Sequence, residues 1–265
     1  MAPPPRHRPA ADGGYQRGEE TRAKIVEAAL GLFGEKGFEG ASTREIAERA
    51  GVNAPALVYY FDNKEGVYLA CVEHIMGRVS AYMSGAVDAA QALLDEPAAG
   101  DAALIHAFCS IQTQIAEFLL MSGEPDSWRL FMAREQAGLG HESSFMVMKK
   151  QFSEQLRRVN AELVSRLMGL PPDDPEVVVR MLAITGQLFP FHMTCRSAGE
   201  ALGWEKFDRE RLNTVVRIIN EQTVSLLIGM TEMRTMRMAE QAALEAQYPA
   251  AQLGQSGKPM PPGVH

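Results

Sequence analysis

The sequence predicts an all-α protein in which a small N-terminal helix-turn-helix unit of three helices precedes a larger helical domain. Three observations carry this. Apolar residues recur at spacings of three and four along almost the whole chain. Segments rich in Gly, Pro and Asp cut that pattern into helix-sized pieces. No run of alternating β-branched residues supports a sheet.

The chain opens on "MAPPPRHRPAADGGYQRG", which lacks the apolar core of a signal peptide. Its Pro/Gly content predicts a disordered tail over 1–18. Its basic residues (Arg6, His7, Arg8, Arg17) either reach a minor groove, as other N-terminal arms do, or form a plain leader. In the first helix, over 21–36, Ile25, Ala28, Ala29, Leu32 and Phe33 share one apolar face, and Gly34 and Gly37 follow near its end.

Next, "STREIAERAG" sets Ser42 three residues before Glu45, a capping box that starts a short helix over 43–50. Gly51 supplies the positive φ of a sharp helix-to-helix turn. Asn53 can cap the following helix, and Pro55 falls in its first turn, where a missing N–H is harmless. The small side chain of Ala47 lets that helix cross closely, while Ile46, Ala50, Val52 and Leu57 supply the shared core. A helix this short is stable only through packing. Such a unit presents a rigid helix outward, as helix-turn-helix DNA readers do.

Beyond residue 64 come five longer helical patterns. Their breakers are "DEPAAGD", "SGEPD", "AGLGHES", "GLPPDDP" and "SAGEALGWEKFD". Phe145, Met148, Phe152, Leu156, Val159, Leu163 and Leu167 make a stripe at helical spacing. The units expected are the reader over 19–65, the larger domain over 66–240 and a second disordered tail over 247–265.

Composition narrows the function classes. The net charge of −7 announces no polyanion binder, so any nucleic-acid function must rest on a local arrangement. Cys71, Cys109 and Cys195 form no CxxC pair and read as reduced, buried thiols of a cytoplasmic protein. No apolar run is expected to reach the length of a membrane span. His192 and Cys195 are too few for a metal site. Met230, Met233, Met236 and Met238 fit a core stripe or helical dimer face better than a soft-metal site. No phosphate loop, zinc motif or nucleophile elbow appears, so neither an enzyme nor a cofactor is expected.

The stretch "TRAKIVEAALGLFGEKGFEGASTREIAERAGVNAPALVYYFDNKEGVY" resembles the N-terminal domain of the TetR/AcrR family of transcriptional regulators, nearly continuously over 21–68. Farther on, "FMAREQAG" and "GQLFPFHMTCRSAGEALGW" are similar to the subgroup with a CerR-type C-terminal domain. The resemblance implies a homodimer whose two readers enter successive major grooves of a double-stranded DNA operator, with a ligand pocket in the C-terminal helices. It further implies a repressor on a palindromic site, released when a small-molecule effector binds.

The chain departs from the family at the reader. Members often carry Ser, Lys or Arg, and Gly where this chain has Asn53, Ala54 and Pro55, and often Tyr in place of Val58. No Lys or Arg lies between Ala50 and Asn63, and over 19–78 seven Lys/Arg face ten Asp/Glu. Base readout is therefore expected from Asn53, from Arg44 with its neighbour Thr43, and from thymine-methyl contacts by Ala54, Pro55 or Ala56. Tyr59, Tyr60 and Lys64 resemble the family's backbone-contacting positions, Lys64 beside a helix N-terminus capped by Asn63. Phe61 reads as core, and Arg44 has a solvated face as its plainer alternative.

Between helices of about 101–121, 126–136, 143–168 and 175–197, a mostly apolar cavity with a few inward polar groups is expected. Phe108, Trp128, Phe152 and Phe189 accompany Gln112, Arg134, Gln187, His192 and Arg196, polar side chains at helix-interior positions where an unpartnered group is costly. They either satisfy one another or meet a hydrophobic or amphipathic effector, whose carboxylate, if present, Arg134 or Arg196 would pair. The last two long helices, about 175–197 and 208–238, are expected to form the dimer interface. Ala183 and Gly186 allow close approach there, and Val178, Met181, Leu182, Leu212, Val216, Ile219, Leu226 and Met230 supply apolar stripes. The rival from another class is a helical small-molecule-binding or enzymatic dimer in which the helix-turn-helix only supports the core.

Overall fold

A computed structural model describes residues 12–121, 126–142, 154–188, 190–191, 195–205 and 208–247. All regular structure among them is helical. The elements are α1 (Asp12–Gly40), α2 (Thr43–Ala50), α3 (Ala54–Phe61), α4 (Lys64–Leu94), α5 (Asp101–Met121) and α6 (Asp126–Gln136). Then come α7 (Glu154–Met168), α8 (Pro175–Thr185), a 3-10 turn (Gly186–Leu188), α9 (Cys195–Leu202) and α10 (Arg209–Gln247).

The apolar face predicted for α1 is buried throughout: Ile25, Ala28, Ala29, Leu32 and Phe33 close on Ile46, Leu57 and Phe61 of the short helices. Phe61 is thus core, as its pattern indicates. The same core continues into α4 through Val67, Tyr68, Cys71 and Ile75, and into α6 through Trp128 and Phe131. A second core joins α4, α5, α7, α8 and α10, with Val159, Leu163 and Leu167 of the α7 stripe fully enclosed. A third, smaller cluster sets Leu188 among Ala116 of α5 and Leu212, Val215 and Ile219 of α10. Phe145, Met148 and Phe152 lie outside the described residues.

Three expectations change. Helix α1 begins at Asp12, inside the stretch predicted as tail, so Gly13 and Gly14 are helical residues despite their conformational freedom. The single helix predicted over 175–197 is broken: α8 ends at Thr185, and the chain tightens into the 3-10 turn at Gly186. Helix α5 is long and apolar enough, by length and composition, to cross a membrane. Here its apolar face, with Leu104, Phe108 and Ile111, lies inside the second core.

Candidate nucleic-acid interface

The reader is built by local chemistry. Ser42 Oγ accepts from the Glu45 N–H at 3.2 Å, and Glu45 returns a carboxylate to the Ser42 N–H at 3.0 Å. Gly51 adopts φ 68°, ψ 31°, turning the chain within one residue. Asn53 Oδ1 then accepts from the Ala56 N–H at 3.0 Å and caps α3. With Leu57 and Phe61 pinned inward, the opposite side of α3 faces out: Asn53, Ala54 and Pro55 are exposed, Val58 is 57% exposed and Tyr59 82%. Ala56 and Tyr60 are half-buried, as is Thr43, while Arg44 is exposed. Asn63 caps α4 through the Gly66 N–H at 2.8 Å. Lys64, next to it, lays its ammonium 4.4 Å from the centre of the Phe38 ring.

Two cations beside the reader are already neutralised. Lys36 pairs with Glu45 at 2.6 Å, and Arg49 forks onto Glu35 at 3.0 and 3.2 Å. The Lys36 ammonium, together with the Ser42 hydroxyl and N–H, holds the Glu45 carboxyl down at about 2. Arg44 has no ion pair among the described residues. The capping bond takes one of the two lone pairs of Asn53 Oδ1 and fixes the orientation of its side chain.

The residues expected to line one cavity are divided between two places. Phe108 and Gln112 do line a cavity of about 10 Å³, with Ile111, Ile115, Asn160, Thr185 and Leu188. Gln112 is 3% exposed and satisfied: it donates to the Ile184 carbonyl at 3.3 Å and accepts from Thr223 Oγ1 at 2.9 Å. Asn160 Oδ1 and, in the 3-10 turn, Gln187 Oε1 are buried without a partner among the described residues. Asn160 was not anticipated, although an Asn between Val159 and Leu163 of the α7 stripe was the available signal. Phe152, Phe189 and His192, and the side chain of Arg196, lie outside the described residues.

Trp128 and Arg134 sit elsewhere, where α6 meets the reader. Trp128 is 4% exposed, edge-on to His74 at 5.1 Å and beneath the Arg78 guanidinium at 5.9 Å. Gly37, at φ 75° and ψ 177°, interrupts α1, and the backbone carbonyls of the turn before it face α6. Arg134 takes two of them, Nε to Gly34 O at 2.9 Å and Nη2 to Glu35 O at 3.2 Å. Nearby, the Tyr68 hydroxyl donates to Glu135, and its pKa is raised by burial first and by that carboxylate second. A methyl on Gly34 would stand 2.8 Å from the Ser127 carbonyl oxygen, so α1 and α6 touch backbone to backbone.

Two family models match the chain. The model of bacterial regulatory proteins of the tetR family covers residues 25–71, spanning α2, α3 and the turn between them. That of the C-terminal domain of the HTH-type transcriptional dual regulator CecR covers 104–230. The chain belongs to the TetR family of transcriptional regulators. Its C-terminal type is CecR rather than CerR. CecR of Shigella flexneri is 26% identical over 216 residues, 82% of this chain and 95% of that one.

Solved TetR-fold structures extend the likeness. A transcriptional regulator from Pseudomonas aeruginosa PAO1 superposes with a TM-score of 0.56 at 21% identity, covering 81% of this chain and 93% of that one. The regulator FadR from Bacillus subtilis, solved in complex with stearoyl-CoA, gives 0.52 at 16% identity, covering 77% and 97%. At these identities the shared feature is the fold. TetR proteins are transcriptional regulators and not enzymes, which removes the enzymatic rival.

Among the described residues no three His, Cys, Asp or Glu gather as metal ligands. Cys71 and Cys109 are buried free thiols whose pKa burial raises; the Cys195 side chain lies outside the described residues. Of the methionines near the end of this TetR chain, Met230 is core, whereas Met236 and Met238 are 63% and 65% exposed.

Proposed function

We propose that this TetR regulator acts as a dimeric repressor of a palindromic operator and releases it when a hydrophobic or amphipathic effector binds the C-terminal helices. The observation that carries the reading is α3 itself. It is short, doubly anchored by its cap and core, and turns Asn53, Ala54, Pro55, Val58 and Tyr59 outward, the geometry a major-groove reader needs. Arg44 and the α3 face would supply base contacts, and Tyr59, Tyr60 and Lys64 the phosphate contacts. Lys64 would leave the Phe38 ring to make its own.

Exposed apolar residues on α8 and α10 support the dimer. Val179, Leu182, Ile218 and Leu226 are 64, 56, 41 and 49% exposed, and water is a poor cover for such side chains. Of the residues assigned to the interface from sequence, Leu182 and Leu226 are among these, whereas Met181, Leu212, Ile219 and Met230 are buried within the protomer. The partner therefore takes the outer edges of these helices.

The effector reading rests on Asn160 and Gln187, whose buried amide oxygens lack partners among the described residues, Asn160 beside the apolar walls of the cavity. The cavity at Asn160 holds about one water, so any effector must enlarge it and favour a different arrangement of helices. Affinity for that arrangement over the DNA-bound one is what shifts occupancy. The complex of FadR with stearoyl-CoA supports a long apolar ligand of this fold. Selection of binding sites from a random duplex pool by the full chain tests the proposal. A discrete palindrome is expected, and enrichment of no sequence would overturn it.

A further inference from the structure

The outer face of α3 carries a largely apolar strip. Ala54, Pro55, Val58 and Tyr59 follow one another at helical spacing and are all exposed, with the branched Val58 side chain 57% in water. Several polar groups around the strip are already engaged. Asn53 uses Oδ1 as the helix cap, and Lys36 and Arg49 are held by Glu45 and Glu35. Helix α3 contains no charged side chain at all. Arg44, on α2, is exposed and has no ion pair among the described residues.

We infer that Val58 determines operator specificity by packing against the 5-methyl group of a thymine in the major groove. This rests on the DNA-reading role proposed above and names the chemistry by which that role is performed. Among the four bases only thymine shows a methyl group at the major-groove edge, so the aliphatic side chains of the strip discriminate through that group. The strip begins in the N-terminal turn of α3, the end that reaches base edges in such readers. Valine adds two methyls where Ala54 offers one, and its restricted χ1 leaves little entropy to lose on contact.

The test uses the full chain and the site it selects from a random duplex pool. Each thymine of that site is replaced in turn by deoxyuridine, which removes the 5-methyl and nothing else. Anisotropy titrations then compare the wild type with Val58→Ala. At one thymine in each half-site, deoxyuridine should weaken the wild type about fourfold, the value of one buried methyl. Val58→Ala should bind the thymine site correspondingly more weakly and lose its sensitivity to deoxyuridine there. A deoxyuridine penalty equal in wild type and variant at every position would overturn the assignment, as would no penalty anywhere. If the pool yields no site, the DNA-reading role fails first, a distinguishable result. An exposed position leaves the fold intact, and an unchanged melting temperature of Val58→Ala checks this.

Discussion

Arg44 is exposed and unpaired among the described residues, while its neighbours Lys36 and Arg49 are tied to carboxylates. That contrast makes it the cation best placed to bond a base edge. Arg44→Ala is expected to cost about 1–3 kcal/mol of specific binding, measured against the selected operator, with little change on unrelated DNA. Equal losses on both would reassign it to phosphate. A second residue acts through space rather than charge. Gly66, in the first turn of α4, lies so near the Phe61 carbonyl oxygen that an added methyl would overlap it. Gly66→Ala should therefore push α3 and α4 apart and destabilise the chain by about 1–3 kcal/mol, the usual cost of overpacking. Urea melts would measure this. A variant as stable as the wild type would show that the turn can shift freely.

At the scale of elements, helix α2 is held at its start by charge as well as by its cap. Glu45 has its carboxyl lowered from the ordinary 4.5 to about 2, chiefly by the bond from Lys36 and then by Ser42. Its ionised form is thus favoured by the fold. The stabilisation is complete above about pH 4.5 and is lost as pH falls through about 2. Stability of the wild type minus that of Glu45→Gln, followed in urea at each pH, should be constant near neutrality and shrink toward pH 2. A gap independent of pH would mean that the bond to Ser42, rather than the charge, does the holding.

This helix also shows what a sequence discloses. Its cap, the left-handed Gly51, and the caps at Asn53 and Asn63 depend on partners a few residues away, and all were readable. Arg134 depends on carbonyls at Gly34 and Glu35, about a hundred positions earlier. From sequence it was one polar residue in an apolar helix, indistinguishable from a ligand contact. The break at Gly186 was hidden similarly, because apolar spacing continues across it while the backbone tightens. Likewise Ala54, Pro55 and Ala56 looked equivalent until the packing of Leu57 fixed the face of α3 and turned Ala56 aside.

The whole molecule has a reader core, a main bundle and an uncovered apolar flank. Leu182 and Leu226, more than half and nearly half exposed, mark that flank on α8 and α10. Replacing them together with Asp and Glu should cost the protomer little, since neither supports its core. In an assembly the same charges would be trapped between apolar surfaces without partners. Light scattering at micromolar concentration should then give twice the chain mass for the wild type and a single chain mass for the double variant. Operator affinity should fall in parallel, because two linked readers gain from effective concentration. A wild type of single chain mass would count against the dimer directly.

The backbone contact of Gly34 with Ser127, locked by Arg134, bears on engineering. Sensors of this family invite cutting and pasting, a reader of one specificity joined to an effector domain of another. A seam placed after the helix-turn-helix would leave the end of α1 facing a foreign α6. With any side chain larger than hydrogen at the crossing, or without the guanidinium that closes α1, the graft would fold as two good halves that no longer talk. A workable chimera from this chain should carry α6 along with α1 as one cartridge, exchanging only what lies beyond it.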